Sequence, residues 1–242
     1  MQRYFVKNES IIEMNIRISG SDFHHIKNVM RCSLGDLIEV VDEFGVLYTC
    51  EILGFKKDQA DLVIISQQSQ SRIRPKITIA QALIKKDRFE LFLEKATELN
   101  VYEIIPTSFQ RSIVKIDSSD ESKKISRYES IVKEASEQSE RLFLPLISCV
   151  KSLKTIKYQQ YDHVLVCFER EDVSHHLKDV IKEISVNDSV LVLIGPEGGI
   201  SPEELKFLQT KNAKFVSLGA QILRSETASM YVLSSFLCEW KI

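Results

Sequence analysis

The 242-residue chain has no apolar run that approaches the length of a membrane span, which takes about 18 residues with few charges. Its first residues, MQRYFVK, contain no apolar signal core, so a cytoplasmic location is expected. Paired cysteines are missing too. Cys32, Cys50, Cys149, Cys167 and Cys238 are scattered and odd in number, which suits free thiols in a reducing compartment and excludes a disulfide framework or a CxxC zinc site. His24 and His25 are adjacent, as are His175 and His176; neighbours in sequence face different ways, so no metal is expected. There is no excess of positive charge either: 32 Lys and Arg against 34 Asp and Glu leave a net charge of −2. A strongly basic polyanion-binding protein is thereby excluded, and any contact with nucleic acid has to come from a local patch. Internal repeats and low-complexity segments are absent.

What is present is the composition of a globular protein, 44% hydrophobic and 27% charged, in a chain long enough for one large domain or two ordinary ones. Two basic runs stand out. Arg72, Arg74, Lys76, Lys85, Lys86 and Arg88 are opposed only by Asp87, and Arg111, Lys115, Lys123, Lys124 and Arg127 form the second. Charge alone favours two solvated faces for them.

Residues 1–70 read as β-rich. Alternating or β-branched runs at 3–6, 15–18, 37–42, 46–55 and 60–66 are separated by turn signals at 34–36, 43–45 and 57–59. One helix interrupts them, capped by Ser21 or Asp22 and carrying Phe23, Ile26, Val29 and Met30 on its apolar positions. Closely spaced strands with one short helix predict a small barrel. The polar stretch SQQSQSR at 66–72, followed by Pro75, predicts a linker. From 75 to 242 strands and helices alternate: strands at 77–83, 101–106, 163–168, 189–194 and 214–218, helices at 88–99, 119–138, 173–184, 202–209 and 224–239. That alternation predicts an α/β domain with a mostly parallel, helix-covered sheet.

Of the eight glycines, Gly195, Gly198, Gly199 and Gly219 cluster near the C-terminus. The first three sit in IGPEGGIS at 194–201, directly after the apolar run VLVLI. Downstream, Ser201, Pro202 and Glu204 spell a helix start: N-cap, proline at the first helical position, glutamate three residues after the cap. The order is strand, glycine-rich loop, helix, and ligands of open α/β sheets bind at such strand ends. A tight turn would need the same glycines. GxGxxG is missing, which argues against a dinucleotide enzyme transferring hydride, and a P-loop lysine is missing as well. A second segment, VSLGAQILRSETA at 216–228, repeats the logic: a strand end, Gly219, then an amphipathic helix. Arg224 opposes the dipole at that helix start while Glu226 suits it, so either a function or a distant salt bridge accounts for the arginine. Were the two strands neighbours, the two loops would enclose an adenosine-sized slot walled by Leu218, Ile222 and Leu223.

Four segments in this order resemble the bacterial RsmE family, the 16S ribosomal RNA uridine-N3 methyltransferases of the SPOUT class. They are HHIKNVMR at 24–31 with Gly35 and Asp36, KDRFE at 86–90 with EKATEL at 94–99, EASEQS at 134–139 with Arg141 and Pro145, and the glycine loops at 194–199 and 218–228. The resemblance implies a PUA-like RNA-binding barrel over 1–70 and, over 75–242, a SPOUT-type methyltransferase domain with a trefoil knot, in a homodimer. It implies S-adenosylmethionine as cofactor, held by Ile194, Gly195, Glu197, Gly198, Leu218, Gly219, Ile222, Leu223 and Thr227. Small-subunit ribosomal RNA is the implied partner. Ala220 and Gln221 stand where the family often has Pro-Arg, which leaves the role of Gln221 open; Asn100 replaces a glycine at a helix end, a change the left-handed cap tolerates.

The chemistry expected of such a site follows from the nucleophile. Uridine N3 carries a proton, so the developing anion needs stabilisation. Arg224 is the residue expected to supply it, with Glu226 either ordering Arg224 or relaying the proton. His24, Arg31, Arg72, Arg74, Lys86 and Arg88 are the expected RNA contacts, with barrel packing an equal alternative for His24 and Arg31. The segment EKATE at 94–98 also fits a surface salt-bridge helix, and Glu137 and Gln138 with Arg141 a buried polar network that holds the fold; a structural or interface role is favoured for Glu98, Glu134 and Gln138. A non-catalytic RNA-binding or ribosome-assembly factor, or a SPOUT enzyme for another RNA, would keep many of these features.

Overall fold

The computed structural model describes residues 1–69, 75–168 and 175–241. Arg72 and Arg74, and the expected helix start at 173, lie outside them. The chain divides into two compact units, Met1–Arg72 with Ser136–Leu144, and Ile73–Ala135 with Pro145–Ile242. The sequence-based division at 70–75 does not assign 136–144 to the first unit.

In the first unit β1 (Arg3–Phe5), β2 (Ile11–Ile12), β3 (Asn15–Ser19), β4 (Leu37–Val41), β5 (Val46–Lys56) and β6 (Gln59–Ser69) form one sheet in the order β1-β4-β5-β6-β3-β2. The long β5–β6 hairpin shifts register at Thr49/Cys50 and at Ile52/Gly54, and such irregularities bend a sheet around its core. Ile16, Ile18, Ile38, Val40, Ile52 and Leu62 face inward, as their alternation dictates. Helix α1 (Gly20–His24) runs into a π turn over His25–Val29, sending Phe23 and Ile26 into the same core. The polar stretch expected to be a linker is partly strand: Gln67, Gln68 and Ser69 pair with Tyr48, Leu47 and Val46. Cross-strand pairing with a long neighbour outweighs their composition. The 136–144 segment is held by Arg3, whose guanidinium pairs with Glu39 at 2.7 Å and donates to the carbonyls of Glu140 and Arg141. Leu142 and Phe143 pack on Val41 and Leu47.

The second unit contains a parallel sheet of seven strands among the described residues: β7 (Lys76–Ala82), β8 (Glu103–Ser108), β9 (Leu146–Ile147), β10 (Lys151–Ser152), β11 (His163–Cys167), β12 (Ser189–Ile194) and β13 (Lys214–Val216). The order is β10-β8-β7-β12-β11-β13, with β9 also beside β8. Helices α2 (Lys86–Glu98), α3 (Ser118–Gln138), α4 (Leu177–Ile181), α5 (Pro202–Gln209) and α6 (Ser225–Trp240) surround it; the end of α3 belongs to the first unit. Central β12 is buried on both faces. Val190, Val192 and Ile194 join Phe89, Phe92, Leu233 and Phe236, while Leu191 and Leu193 join Ile105, Tyr158 and Leu208. A strand covered on both faces reads as an unbroken apolar run, as VLVLI does. Strands β12 and β13 are not neighbours, contrary to the condition placed on the adenosine slot: β11 lies between them and pairs with both. Three-residue β13, with Lys214 exposed, occupies the edge, where short charged strands belong.

Candidate active site

A cavity of about 520 Å³ opens at the carboxyl ends of β11, β12 and β13. Three strand ends build it, where the sequence pointed to two. From β11 come Cys167 and Phe168, from the loop after β12 Ile194 to Ile200, and from β13 onward Ser217, Leu218, Gly219 and residues 221–225. Ala228 of α6, Pro202 and Leu205 of α5, and Arg111, after β8, complete the wall. The residues 195–201 form the turn foreseen from the glycines. Ser201 caps α5 by accepting the Glu204 N–H at 3.2 Å, and the Glu204 carboxylate accepts the Ser201 N–H at 2.9 Å.

Two glycines here are constrained by geometry. Gly219 sits at φ +118°, a conformation that side chains with a Cβ rarely adopt. At Gly198 an added Cβ would stand 3.2 Å from both the Cβ and the carbonyl oxygen of Arg111. The Arg111 guanidinium in turn donates to the Gly198 carbonyl at 3.2 Å.

A buried polar chain fixes the wall to the sheet. Gln81 of β7 donates to Ser225 Oγ at 2.7 Å, and Ser225 Oγ donates to the Gly195 carbonyl at 2.7 Å. Ser229 Oγ donates to the Gln81 side-chain oxygen. Gln81, Ser225 and Ser229 are all buried, so each hydroxyl and amide has its partner inside, as burial demands. None of the three stands among the expected site residues, although a glutamine within an apolar strand and serines one helical turn apart on an apolar face are visible signals.

Ile194, Gly195, Glu197, Gly198, Leu218, Gly219, Ile222 and Leu223 all line the cavity; Thr227 is exposed and does not. Ile222 is 81% exposed at the mouth. Arg224 lines the cavity as the N-cap residue of α6, with exposed side chain, and makes no ion pair among the described residues. Glu226 lies behind the wall, not in it. Its side chain is 8% exposed, its Oε1 is 3.8 Å from Arg88 Nε, and its Oε2 has no hydrogen-bond partner among the described residues. The expected ordering of Arg224 by Glu226 is therefore not what the structure has: the cation beside Glu226 is Arg88. Arg88 also donates to Glu197 at 3.3 Å. Cys167 is buried, and burial pushes its thiol pKa up, so this wall residue stays a neutral thiol.

Among the other expected RNA contacts, Lys86 is exposed at the start of α2 and only loosely approached by Glu90, at 3.9 Å. His24 and Arg31 are both exposed, Arg31 at φ +56°. Barrel packing is the work of the next residue, His25, whose Nδ1 is 3.0 Å from the Tyr4 hydroxyl. Lys95 pairs with Glu94 at 2.7 Å and Glu98 at 2.8 Å on the α2 surface, as the salt-bridge alternative described. Among the described residues, no helix is long and apolar enough to cross a membrane, and no cluster of His, Cys, Asp and Glu has the makings of a metal site.

A family model described as an RNA methyltransferase domain matches residues 71–237, and one described as an RNA methyltransferase PUA domain matches 18–65. The Bacillus subtilis protein named ribosomal RNA small subunit methyltransferase E is 34% identical over 244 residues, covering 97% of this chain and 95% of that protein. Its namesake from Rickettsia conorii is 28% identical over 221 residues, with 89% and 86% covered. A Legionella pneumophila protein solved in complex with the cofactor SAM superposes with a TM-score of 0.83 at 26% identity, covering 98% of this chain and 96% of that one. With an RNA methyltransferase domain on the parallel sheet, a PUA domain before it and relatives matched over nearly their whole length, this chain belongs to the RsmE family of ribosomal RNA small subunit methyltransferases.

Proposed function

We propose that this protein methylates N3 of a uridine in 16S ribosomal RNA, using S-adenosylmethionine bound in the cavity at the ends of β11, β12 and β13. The observation that carries the proposal is the convergence of both glycine-marked loops on one cavity whose rim holds Arg224, an arginine with no ion pair among the described residues. The cofactor named for the Legionella relative fits these residues. About 520 Å³ lies within the range of small-molecule sites, Leu218, Ile222 and Leu223 offer an apolar slot, and Gly195 and Gly198 leave room for close approach to the backbone. Glu197 and Gly219 complete the residues that would hold it; Thr227, exposed and outside the cavity, would support α6 from its surface. When bound, the cofactor supplies a sulfonium-activated methyl group.

The protein's own share of the reaction is alignment and charge. The pyrimidine must leave the stack to reach a recessed site, and its N3 must face the methyl group in line. Loss of the N3 proton places negative charge on the base oxygens, and Arg224 is the guanidinium at the rim that would stabilise it. Glu226 acts on this chemistry from behind the wall, through its contact with Arg88. His24, Arg31 and Lys86 are exposed and suit phosphate contacts, which position an RNA without reading it. The working form on this proposal is a cytoplasmic homodimer. Apolar side chains left exposed on the methyltransferase unit, Tyr231 at 38%, Ile113 at 75% and Ile222 at 81%, support a second copy.

Calorimetry with S-adenosylmethionine, and mass spectrometry of 16S ribosomal RNA from a strain lacking the protein, test the proposal. A single methyl missing from one uridine, restored by the wild-type gene, is the expected result; absence of cofactor binding overturns it. Arg224→Ala should lower turnover by about 10²- to 10³-fold, the scale of losing one charge-stabilising donor, with cofactor binding retained. Near-normal turnover would remove Arg224 from the chemistry.

A further inference from the structure

We propose that Arg88 is a positioning residue of the methyl-transfer site: its guanidinium joins the glycine-rich loop to the first turn of α6 through Glu197 and Glu226. The proposal rests on the assignment of the cavity to S-adenosylmethionine. Arg88 stands in the first turn of α2. Its Nη1 is 3.3 Å from Glu197 Oε1 and its Nε is 3.8 Å from Glu226 Oε1. One side chain thus links three separate elements of the same unit. Glu197 lines the cavity directly, and Glu226 follows Ser225, which lines it and donates to the Gly195 carbonyl.

Charge decides between this role and the RNA contact expected from the basic run. One cation facing two carboxylates leaves the cluster net negative, a poor place for a phosphate. Burial points the same way. The Glu226 side chain is 8% exposed and Arg88 is 35% exposed; removing the cation would strand a nearly buried carboxylate, which is far more costly than breaking a surface pair. It would also leave Glu197 and Glu226 to repel each other across the seam between loop and helix. A guanidinium suits the task because its nitrogens, spread over a rigid plane, reach acceptors from different directions; an ammonium is a single point.

The test is a double-mutant cycle read by calorimetry with S-adenosylmethionine and by the salt dependence of RNA binding. Arg88→Ala should weaken cofactor binding about tenfold, Glu226→Gln should weaken it less, and the combined variant should recover part of the loss, as coupled neighbours do. The slope of RNA affinity against salt should be unchanged. Thermal unfolding without cofactor checks that each variant is folded; should Arg88→Ala fail to fold, Arg88→Lys and Glu226→Gln carry the cycle. Unchanged cofactor affinity on loss of Arg88, or a loss that Glu226→Gln does not relieve, overturns the proposal. So does a fall of about one in the salt slope, the mark of a phosphate ligand. Failure of the wild-type protein to bind the cofactor would instead overturn the assignment of the cavity.

Discussion

Single positions matter here mainly through what burial does to them. Cys167 forms part of the cavity wall and Cys50 lies in the core of the first unit; burial raises both thiols, Cys50 to about 12. Cys149 and Cys238 are exposed. Because only the thiolate attacks a disulfide reagent, a raised pKa removes the reactive form at any pH below it. Titration of the native protein with such a reagent at pH 8 should label Cys149 and Cys238 first, with Cys50 and Cys167 following only on unfolding. Rapid labelling of Cys167, abolished by cofactor, would show a wall more open than the burial describes. The cysteine pattern already excluded disulfides, but which thiols are inert depends on neighbours brought from distant parts of the chain.

Among the elements, α6 and β7 are joined by the Gln81, Ser225 and Ser229 chain, and that joint holds the Gly195 carbonyl. Gln81→Leu would keep the volume while removing the bonds of Gln81 to the Ser225 and Ser229 hydroxyls, which keep those to the Gly195 and Ser225 carbonyls. A buried hydrogen bond contributes about 0.5–1.5 kcal/mol, and two are lost, so destabilisation by about 1–3 kcal/mol is expected in urea unfolding, together with weaker cofactor binding. A neutral result would show that water takes over the hydrogen bonds. Local signals identified the elements well wherever they were strong. The Ser201–Glu204 capping box and the apolar stripe of α2 appear where the sequence put them, since caps and periodicity are local physics. Asn100 adopts φ +60°, as a helix end without glycine requires. The two-residue strands β9 and β10 were not foreseen, because so short a pairing has no period. The end of β6 has the composition of a linker, and its polar residues pair through the backbone.

For the molecule as a whole, the net charge of −2 means that RNA affinity must come from a local surface. Binding of 16S ribosomal RNA should weaken steeply as salt rises, and neutralising Lys86 or Arg31 should each lower the slope by about one. Binding insensitive to salt would place the RNA contacts on other chemistry. Two features of the whole were invisible in the chain. Residues 136–144 belong with the first unit, because Arg3 donates hydrogen bonds to carbonyls more than a hundred positions away. And β11 separates β12 from β13, so that a third strand end enters the cavity.

The linear order of residues was enough to establish two differently built halves, the helix caps, the glycine-marked turns and the family, because each depends on neighbours within a few residues or on motifs kept in sequence. Strand order, the division of Arg88 between two carboxylates, and the withdrawal of Glu226 and Thr227 from the cavity were settled only by the tertiary structure. Pairing between distant strands and the desolvation of charges are properties of groups that meet in space, and composition and spacing carry no record of such meetings.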